Sequence, residues 1–257
     1  MHPHQSAEID TSHSSFVIDV IDVIDVTGPI QEGMWNYEPP FPVFHRRPLP
    51  PVPWVDTPVY CDIFEGIHSQ TGTYLETPAH LLGEQSYLLD QVPVHKLVNI
   101  PARVLQLSGS LPGCLSASSP AAGRQEQETR PPVTAALLEA ALNGEDIPPQ
   151  SAILVSTGWG KRWMEPDYLS ASPYFTTDAM EWIVDKRPFL LGADLPRWEN
   201  LERPQNIFPL FYGADILMLA PLVRLEELPA GWVRLTALPL AVTGSCCVPC
   251  RAVVTGF

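Results

Sequence analysis

Proline limits the fold of one long segment more than any other feature of this sequence. Eight of the chain's 29 prolines fall between residues 31 and 58. Proline lacks the amide hydrogen that helices and central strands need, so this segment is predicted to be an ordered, extended loop. Its large side chains either pack on the body of the protein or form the wall of a pocket, and both roles stay open. They are Trp35, Tyr37, Phe41, Phe44 and Trp54.

Length and composition describe a globular chain of one large domain or two small ones. The 257 residues are 45% hydrophobic and 17% charged, which is enough apolar material for a sizeable core. The net charge of −14 disfavours nucleic acid and anionic membranes as partners, because both would repel the protein. The sequence lacks an apolar run of the roughly 18 residues that span a bilayer, and residues 1–6 do not resemble a secretory signal. We therefore expect a cytoplasmic protein.

The five cysteines do not suggest a disulfide framework. Cys247 and Cys250 have the Cys-x-x-Cys spacing of redox pairs and of half a zinc site. A structural zinc would need two more ligands, and neither Cys61 nor Cys114 offers a second close pair. The interpretation favoured here is small thiols that are buried or lie at the end of a strand.

Sequence patterns divide the rest of the chain into a tail, an insertion and regular secondary structure. Residues 1–15 are predicted to be a disordered tail, and the region around 108–132, rich in small and polar residues, a flexible insertion. β-Branched and apolar runs predict strands, and capping residues flanking apolar runs predict helices, as Thr134 and Asn143-Gly144 do for the first of the two helices. The strands are expected at 16–26, 60–69, 97–107, 151–157 and 188–194, and the helices at 134–142 and 178–185.

Residues 70–80 concentrate the chemically active side chains. Gln70, Tyr74, Glu76 and His80 supply an amide, a phenol, a carboxylate and an imidazole within eleven residues. Glycine and proline inside this stretch predict a loop that runs into a short helix or strand. Carboxylate oxygen and imidazole nitrogen are ligands of borderline metals such as zinc.

This stretch resembles the signature of the cyclase family, which includes kynurenine formamidase and isatin hydrolase. That signature reads His-x-Gly-Thr-His-x-Asp-x-Pro-x-His and supplies most ligands of a one- or two-metal site. Its glycine, threonine, proline and last histidine match this chain, whereas its first two histidines and its aspartate are replaced. The matching residues are Gly72, Thr73, Pro78 and His80, and the replacements are Gln70, Tyr74 and Glu76.

Further segments follow the family's order of motifs from residue 16 to residue 257. The resemblance implies an α/β fold: a single domain with a mixed β-sheet flanked by helices, of the swivelling β/β/α type. It also implies a homodimer or homotetramer. The segments that carry it are Asp25-Val26-Thr27, Thr157-Gly158-Trp159, Gly192-Ala193-Asp194 and Ala237-Leu238-Pro239-Leu240.

The resemblance also implies a site that holds a divalent metal, zinc or manganese. Its metal ligands in this chain would be Gln70, Glu76, His80 and Asp194, and its catalytic residues Glu76, His80 and Tyr74, with the Tyr74 phenol donating to an oxyanion. The substrate would contact Trp35, Tyr37, Trp159 and Trp198. The family's catalytic histidine and metal-binding glutamate fall near Phe208 and Ala220, which are apolar here. Asp194, Glu199 and Glu202 are the replacement acids, unless they pair with Arg197 and Arg203 on a solvated loop.

Three functions follow. The first is a divergent hydrolase that cleaves a C–N bond of a small aryl amide, lactam or carbamate with a metal-activated water. The second is a metal-free enzyme of the same fold that uses Glu76 and His80 as an acid–base pair for cyclisation, isomerisation or hydrolysis. The third is a relative without catalytic activity that binds a small aromatic molecule or a partner.

Overall fold

A computed structural model describes residues 22–111 and 130–256 of the chain. The predicted tail at 1–15, most of the strand at 16–26, Cys114 and the centre of the predicted insertion lie outside these described residues. Within them the helices are α1 (Ala79–Leu82), α2 (Ala135–Leu142), α3 (Thr177–Lys186) and α4 (Ile207–Gly213). None of the helices described is both long enough and apolar enough to cross a membrane.

Twelve strands are formed by the described residues. The first six are β1 (Val23–Asp25), β2 (His45–Pro48), β3 (Asp62–Glu65), β4 (Tyr74–Glu76), β5 (Ile100–Gln106) and β6 (Pro132–Val133). The others are β7 (Ala152–Ser156), β8 (Tyr174–Phe175), β9 (Leu190–Ala193), β10 (Leu217–Ala220), β11 (Gly231–Pro239) and β12 (Cys247–Thr255).

Seven strands close into a barrel-like ring. Their order is β4–β10–β9–β7–β5–β11–β12, and β12 returns to pair with β4, while β1 pairs with the other half of β12. The run from β5 through β7 and β9 to β10 is parallel, and the remaining pairs of this ring are antiparallel. The expected fold class, a mixed β-sheet flanked by helices in a single α/β domain, is confirmed.

The hydrophobic core has two parts, one on each face of this sheet. Side chains alternate between the faces along a strand. Leu154 of β7 accordingly joins a core made mainly of strand residues, whereas Ile153 and Val155 join a second core that contains Leu138 of α2 and Phe211 of α4. The first core fills the ring, and the second lies between the ring and the helices.

Local signals set the ends of the central helices close to the predicted positions. The side chain of Thr134 accepts a hydrogen bond from the amide of Leu137 at 3.4 Å and begins α2. Asn143 ends α2 with φ of 57°, and Arg187 ends α3 with φ of 52°. Both residues adopt the left-handed conformation that closes helices.

The proline-rich segment contains one strand, β2, and this strand does not join the barrel. It pairs with β3 in a separate two-stranded sheet. The predicted strand at 60–69 is therefore shorter than expected, and it leads into the signature loop from outside the barrel. Two aromatic side chains of the segment show the two roles left open above: Phe44 is buried, and Tyr37 borders a cavity described below. Trp54 has neither role, since it is 81% exposed.

The three C-terminal cysteines lie in or beside β12. Cys247 and Cys250 are buried, and Cys246 is partly exposed. All four cysteines of the described residues are free thiols. The favoured interpretation, thiols buried in a strand or at its end, agrees with this placement.

Candidate active site

Strand β4 carries the two central residues of the signature to the helix-covered face of the sheet. Leu75 points into the ring, and its neighbours Tyr74 and Glu76 point to the opposite face. Glu76 lies opposite Met218 of β10 and Cys247 of β12 in the two strand pairings. The carboxylate is thus held between neighbouring strands, and Glu76 is only 1% exposed.

The matching residues of the signature build the loop that precedes β4. Gly72 has φ of +70°, and a Cβ there would come within 2.8 Å of the Ile30 side chain, so the position requires glycine. The Thr73 hydroxyl accepts a hydrogen bond from the amide of Gly28 at 2.8 Å and donates one to the carbonyl of Pro221 at 2.5 Å. These residues fix the backbone from which Tyr74 and Glu76 project.

Helix α1 brings His80 back to Glu76. Pro78 precedes this helix, and His80 is its second residue. Nδ1 of His80 lies 3.3 Å from Oε2 of Glu76, with the imidazole side chain 44% exposed. The pair therefore joins a buried carboxylate to an imidazole that reaches open space.

Two further side chains hold the Glu76 carboxylate. The hydroxyl of Tyr212 in α4 donates a hydrogen bond to Oε1, and Nε2 of Gln70 donates one to Oε2 at 3.0 Å. Burial and the negative charge of Glu76 raise the pKa of Tyr212 well above its usual value, so the phenol keeps its proton. Burial, with the charge of Glu76, also raises the pKa of the Cys247 thiol and keeps it neutral.

The Tyr74 phenol belongs to a separate chain of hydrogen bonds. The Tyr37 hydroxyl lies 2.6 Å from the carbonyl of Pro196 and 3.0 Å from the Tyr74 hydroxyl. A carbonyl only accepts, so Tyr37 donates to Pro196, and Tyr74 must then donate its single proton to Tyr37. Burial raises the pKa of Tyr37 and of Tyr74, so both phenols stay neutral. In this arrangement Tyr74 has no proton left for an oxyanion, which corrects the role expected for it.

These groups border one cavity of about 400 Å³. Six of its fifteen lining residues are aromatic, and its polar side chains converge from the signature and from the loop after β9. The aromatic residues are Tyr37, Phe41, Tyr74, Trp198, Phe208 and Tyr212. The polar ones are Gln70, Glu76, His80, Arg197 and Glu199. A pocket of this size and composition suits a small aromatic molecule.

The structure divides the four predicted substrate contacts into two pairs. Tyr37 and Trp198 line the cavity, whereas Trp35 and Trp159 lie behind its wall. Trp35 packs edge-on against Tyr37 at 5.3 Å between ring centroids. Trp159 is 2% exposed, and its indole N–H donates to the carbonyl of Tyr168 at 2.9 Å. Trp35 therefore supports Tyr37 from outside the cavity lining, and Trp159 packs on Tyr168, so the structure does not bring these two predicted contacts to the cavity.

Asp194 was expected among the metal ligands, and this expectation is wrong. Its carboxylate accepts hydrogen bonds from the Thr157 hydroxyl at 2.7 Å and from the amide of Gly158 at 2.8 Å. It is completely buried, does not line the cavity, and holds the end of β7 to the end of β9. Burial raises the pKa of Asp194 to about 6, although the hydrogen bonds from Thr157 favour the charged form.

The side chains around Glu76 do not fit a divalent metal held in the family's manner. Where the signature has two histidines this chain presents the amide of Gln70 and the phenol of Tyr74, and both are occupied by hydrogen bonds. Both carboxylate oxygens of Glu76 accept hydrogen bonds from neutral groups. Among residues 22–111 and 130–256, three or more His, Cys, Asp or Glu side chains nowhere form a group suited to a metal ion. The predicted ligand set is therefore not assembled.

Sequence reasoning missed Tyr212, and it treated Phe208 only as the place of a lost histidine. Both lie on α4 one helical turn apart, and their rings stack at 5.8 Å between centroids. The spacing of four within the apolar run 207–213 was the signal for a helix with one face towards the site. Glu199 has a structural role: its carboxylate accepts from the amides of Gln205 at 2.6 Å and Ile207 at 3.2 Å, where α4 begins.

The fold and the cavity define an α/β protein with an aromatic-rich cavity between a closed sheet and its covering helices. The chain belongs to the putative cyclase family, whose model matches residues 24–200. The catalogued proteins of curated function contain no match to it.

Solved structures share the fold at low sequence identity. Isatin hydrolase A from Ralstonia solanacearum is 20% identical, with a TM-score of 0.74 over 92% of each chain. Another isatin hydrolase, solved with the product analogue thioisatinate, is 23% identical, with a TM-score of 0.72 over 92% of each chain. A predicted metal-dependent hydrolase from Bacillus stearothermophilus is 20% identical, with a TM-score of 0.66 over 91% of this chain and 98% of that one.

Proposed function

We propose that this protein hydrolyses a C–N bond of a small aryl amide, lactam or carbamate, with His80 as the general base. The isatin hydrolases among its structural neighbours motivate the reaction class. The observation that carries the proposal is the contact of 3.3 Å between His80 and the buried Glu76 at the wall of an aromatic cavity.

Glu76 acts as a positioning residue in this proposal. Its Oε2 is an acceptor, so the facing Nδ1 of His80 carries the ring proton and Nε2 is left to accept one. A carboxylate behind an imidazole fixes the tautomer and stabilises the imidazolium that forms when a proton is taken. Because Tyr212 and Gln70 donate to Glu76, the carboxylate keeps its place while His80 exchanges protons.

The proposed reaction proceeds in two steps. His80 Nε2 takes a proton from a water molecule as the water oxygen bonds to the substrate carbonyl carbon. The imidazolium then returns that proton to the nitrogen as the C–N bond breaks, and an amine and a carboxylic acid result. The hydroxyl protons of Tyr74 and Tyr212 are already donated, so the second N–H of Gln70 Nε2 is the side-chain donor assigned to the oxyanion.

The predicted zinc or manganese has no part in this mechanism. The Bacillus neighbour is described as a predicted metal-dependent hydrolase. In this chain amide and phenol groups stand where the signature has imidazoles, and they donate hydrogen bonds within the protein. We therefore assign the proton transfer to His80 and derive no step through a metal.

A second candidate is binding of a small aromatic molecule without turnover. The observation that favours it is that both phenols nearest to Glu76, Tyr74 and Tyr212, have donated their only proton inside the protein. These two hydroxyl groups line the cavity but cannot donate to an oxyanion, so fewer hydrogen-bond donors would stabilise it.

One experiment separates the two candidates. Aryl formamides, lactams and aryl carbamates are incubated with the wild-type protein and with His80→Asn and Glu76→Gln variants, and product is followed by liquid chromatography. Hydrolysis by the wild type and a loss of about 100- to 10,000-fold in kcat in the His80→Asn variant are expected, since a positioned general base contributes about that factor. Binding of these compounds without turnover would establish the second candidate, and unchanged turnover in the His80→Asn variant would overturn the first.

A further inference from the structure

Arg197 is the only arginine or lysine among the side chains that line the cavity in the described part of the chain. Its neighbour Glu199 does not offset it inside the cavity, because the Glu199 carboxylate is turned to the backbone amides of Gln205 and Ile207. The carboxylate of Glu76 is likewise occupied by Tyr212, Gln70 and His80. The cavity thus has one positively charged side chain, Arg197. The two acidic side chains of the lining, Glu76 and Glu199, make their hydrogen bonds to other groups.

The one ion pair of Arg197 in the described residues is with Glu38. Its Nη2 lies 2.6 Å from Oε2 of Glu38, and the Arg197 side chain is 16% exposed against 65% for that of Glu38. An ion pair with an exposed partner is weak, because water competes for that partner. The guanidinium is therefore held at the cavity while its present partner is easily exchanged.

A second guanidinium lies behind Arg197 and fixes its backbone. Arg130 is 5% exposed, and its Nη2 donates to the carbonyl of Arg197 at 2.8 Å. Its other donors also go to backbone carbonyls, at Ser172 and Glu199. Burial and, next, the positive charge of Arg197 lower the pKa of Arg130 to about 10. The charges of Glu202 and Glu199 oppose this shift, and Arg130 serves here as the support that positions the backbone of Arg197.

The Tyr37 ring connects this wall to the proposed reaction centre. The charges of both Glu76 and Arg197 act on its hydroxyl, and burial together with Glu76 raises its pKa while Arg197 opposes that rise. Tyr37, Glu76 and Arg197 line the same cavity, and the Tyr37 hydroxyl bonds to the carbonyl of Pro196, the residue before Arg197. An aromatic ring packed in this cavity can present one substituent to His80 and another to Arg197.

We propose that Arg197 is a specificity-determining residue that binds a carboxylate on the ligand, and that the substrates are aromatic acids bearing the scissile amide. The part of this inference that concerns the scissile amide rests on the proposed function. The part that concerns the carboxylate rests on the lining of the cavity alone. The guanidinium is planar and always charged, and it pairs with carboxylates in a two-pronged geometry that a neutral amide cannot match. The ligand carboxylate takes the place of Glu38.

Binding of two matched probes tests the inference. 2-Acetamidobenzoate and 2-acetamidobenzamide have nearly the same shape and differ in one negative charge, and their affinities are measured by isothermal titration calorimetry. The wild-type protein should prefer the acid by about tenfold or more, since a charge-assisted hydrogen bond is worth at least that factor. Arg197→Met should remove the preference, and Glu38→Gln should strengthen binding of the acid by freeing the guanidinium.

Arg46→Met is the matched control. It removes the same charge from an exposed side chain in the two-stranded sheet, so it should leave the preference unchanged. Equal affinity for both probes in the wild type, binding of neither, or a preference that survives Arg197→Met would overturn the inference. The proposed hydrolysis of neutral aryl amides would not be contradicted by those results. Conversely, a preference for the acid that persists in His80→Asn supports the role of Arg197 even where turnover fails.

Discussion

The hydroxyl of Tyr212 donates a hydrogen bond to Oε1 of Glu76 and so joins helix α4 to strand β4 across 136 positions of sequence. Glu76 is a buried carboxylate, and a buried charge is tolerated only where hydrogen bonds or opposite charges compensate it. Tyr212 and Gln70 provide that compensation with neutral donors. The same two contacts stabilise the fold and hold the carboxylate behind His80.

We expect Tyr212→Phe to lower the free energy of unfolding by about 1–3 kcal/mol, because one oxygen of a buried carboxylate loses its donor. The variant should also reduce turnover, since Glu76 is no longer fixed behind His80. Urea unfolding followed by tryptophan fluorescence measures the first effect.

Tyr168→Phe is the matched control for this prediction. Tyr168 is fully buried like Tyr212, but its hydroxyl has no hydrogen-bond partner among the described residues. Removing that hydroxyl should leave stability unchanged or raise it, because no bond is lost and a polar group leaves the core. Equal losses in the two variants would argue against a specific bond between Tyr212 and Glu76.

Metal removal gives a second prediction. Protein purified without chelators or added metal is expected to contain less than stoichiometric zinc and manganese, and turnover should persist in 1,10-phenanthroline. Elemental analysis and activity before and after dialysis measure both. The physical reason is that Gln70 and Tyr74 present an amide and a phenol where the signature has imidazoles.

The double variant Gln70→His with Tyr74→His serves as the comparison. It restores the two imidazoles of the signature beside His80, so it should retain more zinc than the wild type under the same purification. A wild-type protein that carries one tightly bound equivalent and loses activity with it would contradict the metal-free mechanism.

Much of the fold followed from local patterns in the sequence. Helix α2 was predicted from the cap at Thr134 and the stop at Asn143, and both residues have those roles. The strand predicted at 151–157 is β7, Ala152–Ser156, because its apolar run is buried on both faces. Such signals depend on neighbours in sequence, so one sequence suffices to read them.

The site was only partly predictable because its contacts come from distant segments. Residues 70–80 revealed Glu76 and His80 through the signature, but the partner Tyr212 lies in an apolar run whose helical face was not recognised. Asp194 shows the opposite error. An acid after a strand pointed to a ligand, whereas its carboxylate accepts from Thr157 and Gly158 of the neighbouring loop. Chemical type alone did not distinguish a buried structural carboxylate from a functional one.

Replacement of Arg130 tests the support of the cavity wall. Its guanidinium donates to the carbonyls of Ser172 at 2.7 Å, Glu199 at 2.8 Å and Arg197 at 2.8 Å. We expect Arg130→Met to lower the free energy of unfolding by about 3 kcal/mol or more, because several backbone carbonyls lose buried donors together. Probe binding should weaken as the wall loosens. Arg46→Met, which changes an exposed arginine, should stay within about 0.5 kcal/mol of the wild type, and an equal loss in both variants would contradict the prediction.

The raised pKa of Asp194 leads to a prediction of how the free energy of unfolding changes with pH. Burial raises its pKa in the folded protein to about 6, above the ordinary value of 3.8. Between these values the folded state binds more protons than the unfolded state, so the free energy of unfolding falls as pH rises. The stability that Asp194 contributes in this way is fully present below about pH 3.8 and is lost as pH rises through about 6.

Comparison with Asp194→Asn isolates this contribution from other titrating groups. The variant loses acceptor capacity towards Thr157 and Gly158, so it is less stable at every pH, but its side chain does not titrate. The stability gap between wild type and variant should therefore narrow from pH 4.5 to pH 7 and stay constant above it, as measured by urea unfolding at each pH. A gap that widens over this range would mean that the hydrogen bonds from Thr157 and Gly158 outweigh burial and hold the carboxylate charged.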